Sequence, residues 1–381
     1  MSQKSATVVI AQRQIPHYRV PFLTTLRALL ANEGLELRLL TGDYYENHLI
    51  PGDLQGALVL PTRRFGPFLW NGFTRHCRDA DLVIIPQQIK QLDLYMLWLR
   101  RRFRGRPLLA LWGHGKNFQC GTQGGVRESV KRFISKRVDW WFAYNDLSAR
   151  VVSDLGFPGN RITSVGNSID SKTLGLMREN LDPESVARVR DELNLKSENV
   201  GIYSGGLYTE KRIGFLLAAA DRIRAGIPDF ELIVIGDGSE RGLVETAARD
   251  RGWIHLLGRR SGDEVMPHWA LSKVLLMPGL VGLVIVDSFA LGVPIVTTDY
   301  PYHSPEIDYL RDGINGLRVE CGDSPDVYAD KVIDLLRRPD ELMRLRQAAL
   351  ASAGEHTIEA MAANFAEGIK AALATQRLSQ S

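Results

Sequence analysis

Four stretches in the second half of the chain carry residues suited to holding a phosphorylated ligand. The segment 203–211, YSGGLYTEK, ends a β-rich run in Gly205 and Gly206 and sets Lys211 before a helical pattern. Glycines let backbone N–H groups approach a phosphate closely, and the following helix directs its positive end the same way. Lys211 adds a full charge; a solvated helix-start lysine is the plainer reading of the same residue. Residues 232–238, LIVIGDG, form a strand pattern that stops at Gly236-Asp237-Gly238, and ligands of open α/β sheets bind at such strand ends. Arg241 occupies the third glycine position of a dinucleotide fingerprint, and no Walker A sequence is present, so redox and ATPase chemistry lose support.

The third stretch, 278–294, PGLVGLVIVDSFALGVP, runs a glycine loop from Gly279 to Gly282 into an apolar helix with one acid, Asp287. Free N–H groups around Gly282, Leu283 and Val284 suit a diphosphate. An acid in an apolar helix needs a partner; a ligand hydroxyl is one candidate, and a buried basic side chain or backbone amide is the other. The fourth stretch, 303–307, HSPEI, contains Glu306, which reads equally well as a ligand contact or a helix cap.

The elements that must position these residues follow from apolar patterning. Short β-rich runs at 7–11, 35–40, 81–86, 107–112, 139–144 and 161–165 alternate with helical stretches such as 21–33. A second series begins after residue 194, with strands expected at 199–204, 230–235, 253–257, 274–277 and 294–297 and helices at 212–225 and 241–250. Strands separated by helices imply parallel sheets covered on both faces, so the expected fold is α/β with two doubly wound Rossmann-like domains. The polar stretch 171–196 is the expected linker region, with domains at 1–175 and 176–357. The Ala-rich tail 358–381 is expected to form a helix that packs back toward the first domain.

Composition limits the remaining classes. The chain has 381 residues and a net charge of +3, but residues 1–172 carry +11 and residues 173–381 carry −8. The halves should therefore meet different partners. Three separated cysteines show neither metal-ligand spacing nor a disulfide framework. There is no long apolar run of the kind a signal peptide or membrane span requires, so a cytoplasmic protein is expected. Residues 95–106, YMLWLRRRFRGR, join aromatics to five arginines, and Lys131, Arg132, Lys136 and Arg137 add charge. No nucleic-acid motif accompanies this patch, so nucleic acid is not an expected partner. A solvated helix face and an anionic membrane surface on the inner side of the cell membrane are the two readings of it.

In order and spacing, Asn167-Ser-Ile-Asp170, GGLYTEK, VIGDG, PGLVGLVIVDSFALGVP and SPEI together resemble glycosyltransferase family 4. The resemblance implies a GT-B fold, with the two domains facing across a cleft. It also implies retaining transfer of a sugar from a nucleotide-diphosphate sugar. The first domain would bind the acceptor and the second the donor. The family usually carries two glutamates eight positions apart, the first reading the sugar and the second the ribose. Here those places fall on Gly279 and Asp287, and the family's diphosphate arginine falls on Gly206. The PGLVGL…D-x-F-A pattern looks like a distinct subgroup.

The resemblance places acceptor contacts on the loop after the first strand, at Arg13, His17 and Tyr18, and on WGHGKN, at His114 and Asn117, with His114 beside the reacting carbon. Lys211 and His114 are the expected catalytic residues. Donor contacts are expected at Gly205, Gly206, Lys211, Gly236, Asp237, Gly279, Gly282, Leu283, Val284, Asp287 and Glu306. No Asp-x-Asp motif stands among these donor elements, so no cofactor and no metal are expected. The expected acceptor is a glycan or a polyprenyl-diphosphate-linked sugar. A GT-B sugar-nucleotide epimerase or hydrolase and a non-catalytic nucleotide-sugar-binding scaffold are the competing readings.

Overall fold

Alternate residues of the first strand, β1 (Thr7–Gln12), feed opposite cores: Val8 and Ile10 join one buried cluster, Val9 and Ala11 the other. This period of two on a strand buried on both faces is what a parallel sheet between two helix layers requires. The computed structural model describes residues 5–45, 51–115 and 126–378. The chain divides into two units, Met1–Asp170 with Ile358–Ser381, and Ser171–Thr357.

The first unit continues with β2 (Glu36–Gly42), β3 (Ala57–Leu60), a small antiparallel hairpin of β4 (Arg63–Phe65) and β5 (Phe68–Trp70), then β6 (Leu82–Pro86), β7 (Leu108–Gly113), β8 (Trp140–Ala143) and β9 (Ile162–Ser164). Its seven-stranded sheet has the order β3-β2-β1-β6-β7-β8-β9, all parallel. One face is covered by the helices Val20–Asn32 and Ile358–Leu378. The second of these supplies Met361, Phe365, Ile369 and Ala372 at helical spacing, and Phe365 stacks on Phe142 at 4.3 Å. The opposite face buries Phe73, Leu94 and Leu97.

The second unit holds β10 (Val200–Ser204), β11 (Glu231–Ile235), β12 (Ile254–Gly258), β13 (Val274–Met277), β14 (Ile295–Thr298) and β15 (Gly316–Val319). The order is β12-β11-β10-β13-β14-β15, again all parallel. Counted within the unit this is 3-2-1-4-5-6, the doubly wound Rossmann order. The chain reverses its winding between β10 and β13, and such a switch point opens a crevice beyond the strands' carboxyl ends.

Two features differ from the expectations. Strand β3, the β4–β5 hairpin and β15 lie in stretches where no strand was expected. The stretch 171–196, expected as a linker region, contains the helices Ser171–Glu179 and Pro183–Glu192 within the second unit. Asp182 caps the second of these through the N–H groups of Glu184 and Ser185, with Pro183 at its first position. That helix buries no residue, which is why its sequence is so polar. Among the described residues no helix is long and apolar enough to cross a membrane.

Candidate functional site

The glycine turn after β10 is locked to the turn after β11. The Gly205 N–H donates to Ile235 O (3.0 Å), Leu207 N–H to Asp237 O (3.0 Å) and Glu240 N–H to Leu207 O (2.8 Å). The buried Tyr203 phenol donates to Gly206 O at 2.6 Å. A Cβ on Gly236, whose φ is +152°, would stand 1.8 Å from Gly205 O, so backbone meets backbone there and only glycine fits. At Gly206 a Cβ would stand 2.2 Å from the Tyr208 ring; that ring fills the space where an arginine would start.

The loop after β13 is held more firmly still. Thr298 Oγ1 donates to Pro278 O and Thr297 Oγ1 to Met277 O, both at 2.7 Å. Leu280 N–H donates to Glu210 O (2.8 Å), and Lys211 Nζ donates to Leu280 O at 2.6 Å. Val281 O accepts from Ser304 N–H at 2.9 Å. Val281 N–H donates to His303 Nδ1, and His303 Nε2–H donates to Thr298 O, each at 3.0 Å. These two partners fix the neutral tautomer of His303, and burial pushes its pKa down to about 4. A Cβ on Gly279 would lie 2.4 Å from Lys211 C and 2.5 Å from Glu210 O. The lysine turn and the glycine loop therefore form a single packed object, and position 279 has no room for a side chain.

What this clamp leaves unpaired is informative. The N–H groups of Gly282, Leu283 and Val284 donate to no acceptor among the described residues. They open the eight-residue helix Val284–Leu291, so its positive end and three orphan donors point one way. One turn along, Asp287 is half-buried and has no hydrogen-bond or ionic partner among the described residues. Desolvation raises its pKa to about 7. Lys211 is desolvated in the same way, and its pKa falls to about 8 despite the opposing Glu210 charge. Fixed N–H donors, a cation and an unpaired acid at a switch point can hold a diphosphate and a hydroxyl-bearing group.

Most expected donor residues therefore meet at one sheet edge. Gly205, Gly206 and Lys211 follow β10, Gly236 and Asp237 follow β11, and Gly279, Gly282, Leu283, Val284 and Asp287 follow β13. Asp237 is partly occupied locally, accepting from Gly238 N–H at 2.9 Å and lying 3.8 Å from Arg241. Glu306 is buried in the short turn Pro305–Tyr309, two residues beyond Ser304. His303 was missed as a support for the loop: a bond between residues 22 apart has no local sequence signal.

In the first unit, His114 follows β7 with its ring 4.2 Å from Tyr144. Arg13 follows β1 and its carbonyl accepts from Gly42 N–H (3.1 Å). His17 and Tyr18 form the turn His17–Arg19, with His17 exposed. Asn117 lies outside the described residues. The chain does contain one Asp-x-Asp, Asp79-Ala80-Asp81, just before β6. Its carboxylates are engaged: Asp79 pairs with Arg38 at 2.7 Å, and Asp81 accepts from Thr7 N–H at 2.9 Å. Among the described residues no three His, Cys, Asp or Glu side chains are grouped to hold a metal.

Solved structures of the same architecture show the fold. The Anabaena Alr3699/HepE protein in complex with UDP superposes with a TM-score of 0.71 at 15% identity, covering 96% of this chain and 99% of that one. The fold is of the GT-B type. Residues 198–338 match the family model for glycosyl transferases group 1. A lipopolysaccharide core biosynthesis glycosyltransferase, LpsE of Rhizobium meliloti, is 30% identical over 261 residues, 65% of this chain and 68% of that protein. A GDP-mannose-dependent alpha-(1-6)-phosphatidylinositol monomannoside mannosyltransferase of Mycolicibacterium smegmatis is 30% identical over 188 residues, 46% of this chain and 47% of that protein. The match thus spans about half the length of the mannosyltransferase. The chain belongs to the group 1 glycosyl transferases.

Proposed function

We propose that the chain is a retaining glycosyltransferase that moves a sugar from a nucleotide-diphosphate sugar to a glycan or lipid-linked acceptor, in surface polysaccharide or glycolipid assembly. The observation that carries this reading is the clamped loop at the β10–β13 switch point, with three free N–H groups and Lys211 fixed to its backbone. When the bond from the sugar's anomeric carbon to the diphosphate breaks, negative charge grows on the departing phosphate oxygen. Donors already held in place stabilise that charge without reorganising. The departing phosphate can take the acceptor hydroxyl's proton, so the step needs no carboxylate base.

Asp287, ionised, accepts from the ribose hydroxyls. Because position 279 is closed by the backbone of the lysine turn, the sugar is read by groups other than a side chain there, as expected of a PGLVGL subgroup. The relatives' names, which cite a phosphatidylinositol monomannoside mannosyltransferase and lipopolysaccharide core biosynthesis, support an acceptor in a surface glycoconjugate.

The basic half supports a membrane-side acceptor such as a polyprenyl-diphosphate-linked sugar. On the helix Leu92–Arg104, Met96, Leu99 and Phe103 share one face and are 43%, 45% and 80% exposed. Arg102 and Arg104 beside them are exposed, whereas Arg101 is tied to Asp139 at 2.8 Å. Arg132 and Arg137 extend the patch, with Arg137 over the half-exposed Phe133 ring; the Lys131 side chain lies outside the described residues. Each basic residue near an anionic surface contributes about 1 kcal/mol. Flotation with phosphatidylserine vesicles should drop on Arg102→Gln with Arg104→Gln; unchanged flotation removes this part of the reading.

A thermal-shift screen of UDP-, GDP-, dTDP- and CMP-sugars, followed by a product assay, tests the whole. At a hundredfold excess over Kd a ligand stabilises by about 2.7 kcal/mol, a shift of several degrees. One nucleotide class should shift the melting point and yield transferred sugar. No shift with any class sinks the proposal. A shift without product identifies the non-catalytic binding chain, which the closed position 279 and the missing arginine at 206 favour as the second reading.

A further inference from the structure

Strand β1 passes through Ile15 and Pro16 into the turn His17–Arg19 before the helix Val20–Asn32 begins. The Arg19 N–H closes that turn on Pro16 O at 2.9 Å, and its side chain is only 5% exposed. The guanidinium carbon lies 5.1 Å from the Trp112 ring centre, 5.3 Å from Tyr18 and 5.7 Å from Tyr144. Among the described residues its one hydrogen-bond acceptor is the Met361 thioether, at 3.8 Å from Nη1. A sulfur is a weak acceptor, and no carboxylate among the described residues pairs with this charge.

A buried cation without a counter-charge is costly, and aromatic faces return only part of that cost. The Trp112 indole N–H, on the ring beside Arg19, is also buried with no acceptor. Two neighbouring side chains thus carry strong donors that the described residues leave without a good acceptor. Trp112 lies near the carboxyl end of β7, and Tyr144 follows β8 directly. His114 packs on Tyr144 at 4.2 Å. This is the ligand edge of a parallel sheet.

We propose that Arg19 and Trp112 form a second oxyanion site, in the first unit, that takes a phosphate or diphosphate group carried by the acceptor. The planar fork of an arginine matches two oxygens of a phosphate, and the indole N–H supplies a further donor. The inference rests on the reading that this unit receives the acceptor, and it gives that acceptor a chemistry: an anionic head next to the hydroxyl that is glycosylated. The aromatic walls suit a cation and its phosphate better than they suit a neutral sugar hydroxyl.

Calorimetric titration of inorganic pyrophosphate into the intact chain tests this. It is done in a Lys211→Ala background, so that the glycine-loop site of the second unit is weakened. Pyrophosphate should still bind there, and adding Arg19→Met should weaken it about 10–100-fold, the range for a charge-assisted hydrogen bond. Arg19→Lys keeps the charge without the fork and should recover only part of the affinity. Arg19→Met should melt no lower than its parent, because it removes a buried unpaired charge. A merely structural arginine gives the opposite pair of results: a lower melting point and unchanged pyrophosphate affinity.

Should Arg19→Met fail to fold, Trp112→Phe keeps the ring and removes the N–H, and it should weaken pyrophosphate about 3–10-fold. Undiminished binding in the variant that folds, or no binding in the Lys211→Ala background, overturns the proposal. The arms keep two failures apart. If nucleotide sugars still shift the melting point of Arg19→Met with Lys211 intact while pyrophosphate ignores Arg19, this site alone is wrong. If no nucleotide sugar shifts either protein, the glycosyltransferase reading itself fails.

Discussion

Donor affinity should follow a narrow bell in pH, because its two charged contacts titrate close together. Burial sets the Asp287 carboxyl at about 7 and the Lys211 ammonium at about 8. In the donor site proposed above, ribose hydroxyls would donate to the ionised acid and the protonated lysine would hold the diphosphate. At pH 6 about nine-tenths of Asp287 is protonated, which weakens binding about tenfold; at pH 9 about nine-tenths of Lys211 is neutral, with a similar loss. A nucleotide sugar is the right probe, because its diphosphate diester does not titrate in this range. Calorimetric titration from pH 5.5 to 9.5 (roughly one and a half units beyond each pKa) at fixed ionic strength gives the profile. Asp287→Asn should remove the acid limb, and Lys211→Arg the alkaline one. The sign for stability follows from the same group. With its folded pKa above the ordinary 3.8, Asp287 makes the unliganded chain lose stability as pH rises from there to about 7. A flat profile, or an acid limb that survives Asp287→Asn, refutes the assignment of Asp287 to the ribose.

Two further outcomes follow from the loop clamp. His303→Ala leaves Val281 N–H and Thr298 O without partners, which should cost about 1–3 kcal/mol in urea unfolding for each buried group left unpaired and raise the nucleotide Kd by loosening the loop; unchanged affinity would detach His303 from the site. In the wild type the depressed His303 pKa predicts stability lost as pH falls from 6.5 toward about 4, where the folded ring takes up its proton, read by melting point against pH. Gly279→Glu restores the glutamate usual in family 4, yet its Cβ would press on the backbone of Lys211 and Glu210. It should lower both melting temperature and nucleotide affinity, by about 1–3 kcal/mol of overpacking strain; a gain in transfer would show the turn yields.

The placement of the second unit's glycine turns and Lys211 at one sheet edge was legible because these residues sit next to their structural signals. Gly205, Gly206 and Lys211 follow a strand pattern directly, and the free N–H groups at Gly282–Val284 lie where a glycine loop meets an apolar helix. The alternation of strands and helices likewise gave both doubly wound units, since buried parallel strands read as short apolar runs. What escaped depends on contacts distant in sequence. His303 holds Val281 across 22 residues, and Arg19 meets Trp112 and Met361 only in the folded unit. The edge strand β3 exposes Leu58 and Val59 and so lacks the pattern of a buried strand. The helix Pro183–Glu192 buries nothing, so no apolar stripe announced it. The reason position 279 is glycine was equally invisible: the obstacle is the backbone of residues 210 and 211, not any side chain a motif records.

The most direct test of the central claim is the steady-state transfer rate of Lys211→Ala, measured with the nucleotide sugar found by the screen and set beside its melting temperature. Lys211 Nζ is anchored on the loop that would hold the departing diphosphate, so its loss should lower kcat about 10²–10³-fold, as for a donor facing developing charge. The melting point should change little, since a desolvated ammonium with one carbonyl partner contributes little to folding. Near-normal transfer by a folded Lys211→Ala protein would contradict the account.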